Sequence, residues 1–399
     1  GDGPMKVDEL RRFLIAQTDG RYGLTDFVER LARQLIDAGL PLWRLSTTFL
    51  SFDPSIVGPH VTWIRGQATT AVPRAYSILS QPAFTDSPVS YVLETGKELR
   101  TRLDIPAEAL PYSPLGELKA QGATDFFITP IPLGDALSSA VFLDIKHSSR
   151  TWLSLTTDAA EGFSDAALDA LRALLPELGL RMALETTKES TRSLLRAYLG
   201  PNASRRVLDG AFRRGTAERV RSVIWFCDMR GFTTLSDSAT PEDVVRALDH
   251  YFDCVAKPIE ARGGEVLKFI GDAVLAIFPF DPSTLESACE SALGAAHEAI
   301  ANLKALRDQP GAPPLACGVA LHVGDVYYGN IGTPTRLDFT VIGAAVNEVC
   351  RVEALTRPLS VDLLLTRAFV DVARPKRVRS MGAQQLKGVS GSTEVFTVD

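Results

Sequence analysis

Two short segments in the second half of the chain each place an aspartate beside a glycine turn, where a predicted strand ends. Asp228 lies within FCDMRGFT (226–233), and Asp272 closes KFIGD (268–272), 44 positions further on. Two carboxylates that converge on one point provide hard oxygen ligands for Mg²⁺, which usually also binds substrate phosphates. The Gly-Phe-Thr turn leaves backbone N–H groups free to bind a phosphate. The two segments therefore predict a divalent-metal site for nucleotide chemistry.

Composition limits the classes of protein to consider. The 399 residues are enough for two domains, and 45% hydrophobic with 23% charged residues is an ordinary globular balance. A net charge of −6 argues against a nucleic-acid or acidic-membrane partner. No apolar run is long enough to span a bilayer and no signal segment opens the chain, so we expect a cytoplasmic protein.

Cysteine usage agrees with a reducing compartment. The five cysteines are odd in number, all lie in the second half, and form no Cys-x-x-Cys pair. We therefore expect buried free thiols rather than a disulfide framework or a zinc site.

Residues 1–185 alternate helical and strand-like patterns. A helix with apolar residues from Leu24 to Leu35 is predicted to be capped by Thr25 and to end at Gly39. Another long helix is predicted to begin at Ser164-Asp165. Strands are predicted at 45–52, 61–64, 126–131 and 140–145. The pattern predicts an α/β module of the small-molecule sensor kind.

A leucine pattern near the end of this region has two interpretations. Leu168, Leu171, Leu175, Leu178 and Met182 are spaced as in a coiled-coil seam, but the same spacing fits one amphipathic helix that closes the first domain. Residues 186–220 are predicted to be a connector, with a short helical piece at 194–199 that Gly200-Pro201 ends.

The second domain, 221–399, has a regular order of predicted elements. A strand (223–227) and a helix (241–261) precede a hairpin (265–270 and 273–278), a helix (285–306) and two strands (317–323 and 326–331). A further helix follows Gly343. Strand–helix–strand–strand–helix–strand is the ferredoxin-like order of nucleotidyl-transfer palm domains, so we expect an α+β fold.

Four further motifs complete a family pattern, and they follow the two aspartate motifs in order: GNIG (329–332), RLDFTVIG (336–343), NEVCR (347–351) and LKG (386–388). With them, segment 221–399 resembles the class III adenylyl/guanylyl cyclase catalytic domain. The resemblance implies conversion of ATP to cyclic AMP and pyrophosphate, with two Mg²⁺ or Mn²⁺ ions in each active site.

The resemblance also assigns ligands to the metals and phosphates. Asp228 and Asp272 would bind both ions, together with the carbonyl of Met229. The backbone at 231–233 would contact the phosphates through Gly231, Phe232 and Thr233. An aspartate that only caps a turn is the alternative for either carboxylate considered alone.

Lys268 and Thr340 match the positions that select the base in this family. A cation there suits adenine, so the resemblance implies ATP rather than GTP. Because a hydroxyl can donate or accept a hydrogen bond, Thr340 discriminates less sharply than Lys268. An ordinary strand threonine is its alternative interpretation.

Asn347 and Arg351 are four residues apart, on one face of the predicted helix. The resemblance implies that Asn347 orients the ribose and that Arg351 stabilises the charge developing on the α-phosphate. A solvated polar pair is the alternative. Lys387 would contact the triphosphate, or be only a surface lysine. His322, flanked by apolar residues, is expected in the core rather than in catalysis.

The resemblance further implies a homodimer in which each site takes its metal carboxylates from one subunit and its remaining residues from the other. The first domain resembles, more loosely, the GAF-like sensor module of rhizobial-type soluble cyclases. The residues that carry this resemblance are Trp43-Arg44, the strand end Trp63-Ile64-Arg65 and the turn Asp86-Ser87-Pro88-Val89. Its regulator, a small molecule or a protein, is not identified, and a dimerisation module without a ligand is the alternative. A guanylate cyclase and a catalytically silent nucleotide-binding domain are the rival functions.

Overall fold

The computed structural model describes residues 6–16, 23–133, 150–310, 313–387 and 392–398. The chain divides into two compact units, with the boundary between Ala197 and Tyr198. This boundary falls inside the predicted connector, 186–220. The predicted strand at 140–145 lies outside the described residues.

The first unit is a six-stranded antiparallel sheet with helices, and its strand order is β3-β2-β1-β6-β5-β4. Its helices are α1 (Val7–Ile15), α2 (Leu24–Asp37), α3 (Pro82–Thr85), α4 (Pro88–Thr95), α5 (Ser113–Ala120), α6 (Asp165–Ala173) and α7 (Leu175–Leu199). Its strands are β1 (Arg44–Thr48), β2 (Ile56–Ile64), β3 (Thr70–Ala75), β4 (Leu99–Arg102), β5 (Asp125–Pro132) and β6 (Arg150–Thr157).

Three helix boundaries of this unit test the sequence predictions. The predicted cap at Thr25 is wrong, because α2 begins at Leu24 and Gly23 is its N-cap, with the Gly23 N–H bonded to Asp26 at 3.2 Å. Gly39 follows the helix at a φ of +104°, as a helix-ending glycine should. Ser164 caps α6 through its side chain, which confirms that predicted start.

Most side chains of the leucine pattern pack into the core of the first unit. Leu168, Leu171, Leu178 and Met182 are buried together with α1, α2 and one face of the sheet. The helix is interrupted at Leu174, between α6 and α7. The amphipathic-helix interpretation explains this burial. The predicted separate piece at 194–199 is wrong, because it is the end of the continuous helix α7.

The second unit is an eight-stranded sheet with helices. Its helices are α8 (Pro201–Leu208), α9 (Phe232–Ser238), α10 (Pro241–Ala261), α11 (Leu285–Arg307), α12 (Ala344–Glu353) and α13 (Arg367–Ala373). Its strands are β7 (Ala217–Met229), β8 (Glu265–Ile270), β9 (Ala273–Pro279), β10 (Cys317–Thr333), β11 (Arg336–Ile342), β12 (Leu363–Thr366), β13 (Val378–Gln385) and β14 (Ser392–Val398).

The centre of this sheet has the order β10-β7-β9-β8, which confirms the ferredoxin-like arrangement of the two strand–helix–strand halves. The predicted break between residues 323 and 326 is wrong, because β10 is one strand paired with β7 from Cys317 to Gly329. Gly324 stays in this ladder opposite Ser222. A Cβ at Gly324 would lie 2.7 Å from that of Ala345, so glycine here permits α12 to pack closely.

Alternation along β7 directs its side chains to two cores. Trp225 and Cys227 pack against α10 and α11, whereas Ile224 and Phe226 pack against α12 and the β10–β11 hairpin. Because successive side chains of a strand point to opposite faces, Asp228 continues the second set. Across the described part of the chain, no helix is both long and apolar enough to cross a membrane.

Candidate active site

The two predicted metal-binding carboxylates lie side by side. Asp228 is the next-to-last residue of β7, and Asp272 immediately precedes β9. These strands are paired, with Cys227 opposite Val274, so the two aspartates meet at one end of the ladder. Burial of Asp228 and its contact with Asp272 raise the pKa of Asp228 to about 6. A divalent cation would relieve this repulsion, so the pair fits such an ion.

The turn after β7 presents the predicted phosphate-binding backbone. Gly231 has a φ of +76° and is the N-cap of α9. Phe232 and Thr233 occupy the first turn of α9, where N–H groups have no acceptor within the helix. The Met229 carbonyl accepts a hydrogen bond from Arg357 Nη2 at 3.3 Å. In the described residues no third histidine, cysteine or acidic side chain joins the pair as a metal ligand.

A buried glutamate that the sequence analysis missed, Glu353 at the end of α12, lies near this site. Gly318 lies opposite Asp228 in the β7–β10 ladder. A Cβ on Gly318 would lie 2.5 Å from Glu353 Oε1 and 2.2 Å from Thr356 Oγ1. Burial, and then the charge of Asp228, raise the pKa of Glu353 to about 7. The available signal was a glutamate on the apolar face of a predicted helix, where burial requires a partner.

Lys268 on β8 forms an ion pair with Asp338 on β11. Thr340 is two residues beyond Asp338, so both side chains point to the same side of β11. Phe339, between them, is buried against Tyr328 on the opposite side. The structure therefore brings together the two predicted base-selecting motifs and adds Asp338, which the sequence analysis missed.

Asn347 and Arg351 lie on the outward face of α12. Ala345, Val349 and Val352 bury the other face of the helix against the sheet. At 100° per residue, the Asn347 and Arg351 side chains point roughly opposite to these apolar residues. Within the described residues, neither side chain makes a hydrogen bond or ion pair. Both are available to a ligand or to another chain.

The structure does not join all the predicted residues within one chain. Among the described residues, no hydrogen bond or ion pair links the carboxylate pair to Lys268, Asn347 or Arg351. Lys387 is exposed beyond β13.

His322 tests one further prediction, a histidine in the core rather than in catalysis. His322 is buried, and its Nδ1 lies 3.0 Å from Thr366 Oγ1. Burial also lowers the pKa of His322. The predicted place of this histidine in the core is confirmed.

Residues 216–398 match the family model of the Adenylate and Guanylate cyclase catalytic domain. An adenylate cyclase of Anabaena cylindrica is 35% identical over 160 residues, which are 39% of this chain and 31% of that protein. Adenylate cyclase 1 of Rhizobium meliloti is 29% identical over 193 residues, 47% of this chain and 29% of that protein. The chain thus spans about a third of the length of these curated relatives.

Two solved structures are also similar. A bacterial light-regulated adenylyl cyclase is 30% identical, with a TM-score of 0.48 and coverage of 57% of this chain and 64% of that one. A guanylyl cyclase is 30% identical, with a TM-score of 0.40 and coverage of 45% and 92%. Residues 216–398 of this chain are a class III adenylate/guanylate cyclase catalytic domain.

Proposed function

We propose that this protein is an adenylate cyclase that converts ATP to 3′,5′-cyclic AMP and pyrophosphate in two sites shared by a homodimer. The observation that carries the proposal is the contact between Asp228 and Asp272, beside the first turn of α9, whose N–H groups have no acceptor within the helix. The family match of residues 216–398 and the adenylate cyclases among the relatives support it.

Asp228, Asp272 and the Met229 carbonyl would hold two Mg²⁺ or Mn²⁺ ions at the end of β7. Bound there, such ions supply Lewis acidity that lowers the pKa of the ribose 3′-hydroxyl and neutralise phosphate charge. The N–H groups of Phe232 and Thr233 would donate to the phosphate oxygens. Arg357, which bonds to the Met229 carbonyl, would fix the direction of that carbonyl.

Lys268 and Thr340 would select the base. An ammonium or hydroxyl donor near adenine N1, with an acceptor for the 6-amino group, complements adenine and opposes the donor pattern of guanine. The ion pair with Asp338 would hold the Lys268 ammonium beside Thr340.

A second copy of the chain would complete each site. Asn347 and Arg351 face away from the core of their own domain, so they are proposed to act in the site of the partner subunit. There Arg351 would stabilise the negative charge that develops on the α-phosphate, and Asn347 would orient the ribose. Large apolar side chains are exposed on the same domain, at Phe269 and Ile270 (49% each), Tyr327 (52%) and Ile342 (50%). Tyr327 and Ile342 are cross-strand neighbours, so together they form an apolar surface suited to self-association.

The first domain, predicted at 1–185 and GAF-like, would regulate the catalytic domain through the connector at 186–220. An unidentified small molecule or protein would act by changing how two catalytic domains associate.

Formation of cyclic nucleotides from ATP and from GTP, with Mg²⁺ or Mn²⁺, tests the proposal. We expect cyclic AMP from ATP, and its loss in Asp228→Asn and Asp272→Asn. Asp237→Asn, an exposed aspartate on α9, is the matched control and should keep activity. A preference for GTP would favour a guanylate cyclase. Nucleotide binding without turnover would favour a silent signalling domain.

Base selection has its own test. Lys268→Glu combined with Thr340→Cys should weaken the preference for ATP over GTP, measured as the ratio of the two kcat/KM values. An unchanged ratio would remove both residues from base recognition.

A further inference from the structure

A cavity of about 400 Å³ lies in the first unit, over the sheet face opposite the main core of that unit. Its floor is formed by β1, β2, β5 and β6, and its cover by residues of the 3₁₀ turn 76–80 and of α3, α4 and α5. A volume of this size is in the range of cavities that hold small organic ligands.

The floor carries a polar stripe along β1. Arg44, Ser46 and Thr48 alternate with Leu45 and Thr47, so their side chains share the cavity face. Leu45 points into the main core. Helices cover both faces of this strand, so the polar side of β1 is enclosed rather than simply solvated.

Hydrogen bonds pre-position this stripe. Arg44 Nη1 donates to Ser46 Oγ at 3.0 Å, and Ser46 Oγ lies 2.7 Å from Ser154 Oγ on β6. His60 on β2 bridges Thr48 Oγ1 and Thr62 Oγ1 at 3.1 and 3.2 Å. Hydroxyl groups held in this way can donate to a ligand without large rearrangement.

Positive charge dominates the cavity. Burial, and then the nearby charge of Arg74, lower the pKa of Arg44. The same causes, with Arg44 added, lower the pKa of His60 to about 3, so this histidine is neutral. Among the described residues, no carboxylate forms an ion pair with Arg44 or Arg74. Glu117, the acidic group on the described lining, is exposed.

The remaining lining is apolar and partly aromatic. Trp152 and Phe126 rise from the sheet, and Phe84, Leu93 and Leu115 come from the covering helices. Trp152 also lies against the His60 ring, with 5.5 Å between ring centroids. A cavity with one cationic wall and one apolar wall complements an amphiphilic molecule.

We infer that this cavity binds a small amphiphilic organic anion, with its charged head at Arg44 and Arg74 and its apolar body against Trp152 and Phe126. Arg44 is partly buried and its charge interacts with that of the exposed Arg74, so an anion bound between the two guanidinium groups would relieve their repulsion. The anion would accept charge-assisted hydrogen bonds from Arg44 and from whichever of the Ser46 and Ser154 hydroxyls does not donate to the other. This assignment is independent of the cyclase activity.

Fluorescence titration of the full chain with two matched probes tests the inference. The anion 8-anilino-1-naphthalenesulfonate and the neutral N-phenyl-1-naphthylamine share their ring system and differ in the sulfonate. We expect the anion to bind about tenfold more tightly, the effect of one charge-assisted contact. Arg44→Met should reduce this ratio to about one, and Arg74→Met, at an exposed position, should reduce it partly.

The control variant is Arg65→Met, because Arg65 pairs with Asp158 and does not line the cavity. It should keep the ratio of the wild type. Ile78→Trp should weaken binding of both probes by filling the cavity. Thermal melts show whether Arg44→Met is folded. If it is not, the ratio of the two probe affinities in Arg74→Met tests the inference instead. Equal binding of the two probes by the wild type, an unchanged ratio in Arg74→Met, or unchanged binding in Ile78→Trp would overturn the assignment.

Discussion

The Lys268 ammonium pairs with the carboxylate of Asp338, a residue 70 positions later that stands two before Thr340 on β11. The contact joins the edge strand of the ferredoxin-like core to the β10–β11 hairpin. It gives a long and flexible lysine one preferred direction, next to the threonine with which it is proposed to read the base.

Replacing Asp338 by Asn should lower kcat/KM for ATP by up to about fivefold, because both side chains are about half exposed and such pairs contribute at most about 1 kcal/mol. Asp325→Asn is the control, since Asp325 pairs with Arg219 on the neighbouring part of the sheet without a proposed site residue. Steady-state kinetics with ATP and GTP measure both. Identical kinetics in the two variants would mean that Asp338 does not position Lys268.

Asp228→Ala and Arg351→Ala should each abolish activity alone and recover part of it when mixed. Their roles belong to opposite subunits of the proposed dimer, so a heterodimer contains one site with both residues intact. Co-expression with two different affinity tags and assay of the doubly purified species measures the recovery. Two variants that each remove a metal-binding carboxylate, Asp228→Ala and Asp272→Ala, should not recover activity when mixed. Recovery in that pair as well, or in neither, would contradict the shared site.

Asp228→Asn should stabilise the metal-free protein at neutral pH. Because the folded state raises the pKa of Asp228 from 3.8 to about 6, its contribution to stability is complete below 3.8 and is lost as the pH rises through about 6. The gain at pH 7.5 should be on the order of 1 kcal/mol after allowance for solvent screening. It should disappear near pH 4.

Thermal melts across this pH range measure the effect, with Asp237→Asn as the matched control. Addition of Mg²⁺ or Mn²⁺ should raise the Tm of the wild type more than that of Asp228→Asn, because binding to the folded state alone stabilises it. An equal shift in both proteins would place the ion elsewhere.

Gly318→Ala should destabilise the catalytic domain by about 1–3 kcal/mol, as overpacking of a close contact does. The added methyl group would lie 2.2 Å from Thr356 Oγ1 and 2.5 Å from Glu353 Oε1, opposite Asp228. Gly116→Ala on helix α5 is the control, because its Cβ meets nothing within 4 Å and alanine favours a helix. Denaturant unfolding compares the two, and equal stability would mean that α12 can move away from β10.

Local sequence was sufficient for several elements. The helix predicted at 241–261, which begins with a proline suited to a first helical turn, has the observed bounds of α10, Pro241–Ala261. The hairpin at 265–278 followed from two apolar runs around Gly271-Asp272. These predictions depend on residues that are close together in the chain. The two aspartate motifs were predictable for the same reason, because each lies where a strand ends.

Other features were decided only by contacts between distant segments. Two strands were predicted at 317–323 and 326–331, but the pairing of Gly324 with β7 and its packing against α12 keep β10 continuous. In the local sequence, Asp338 and Glu353 resemble ordinary charged residues. Strand register places Asp338 beside Lys268, and the packing of α12 places Glu353 near Asp228. In the first unit, only the folded sheet brings Arg44 and Arg74 to one cavity. Sequence spacing specifies which face of an element a side chain occupies, whereas the partner it meets there depends on long-range packing.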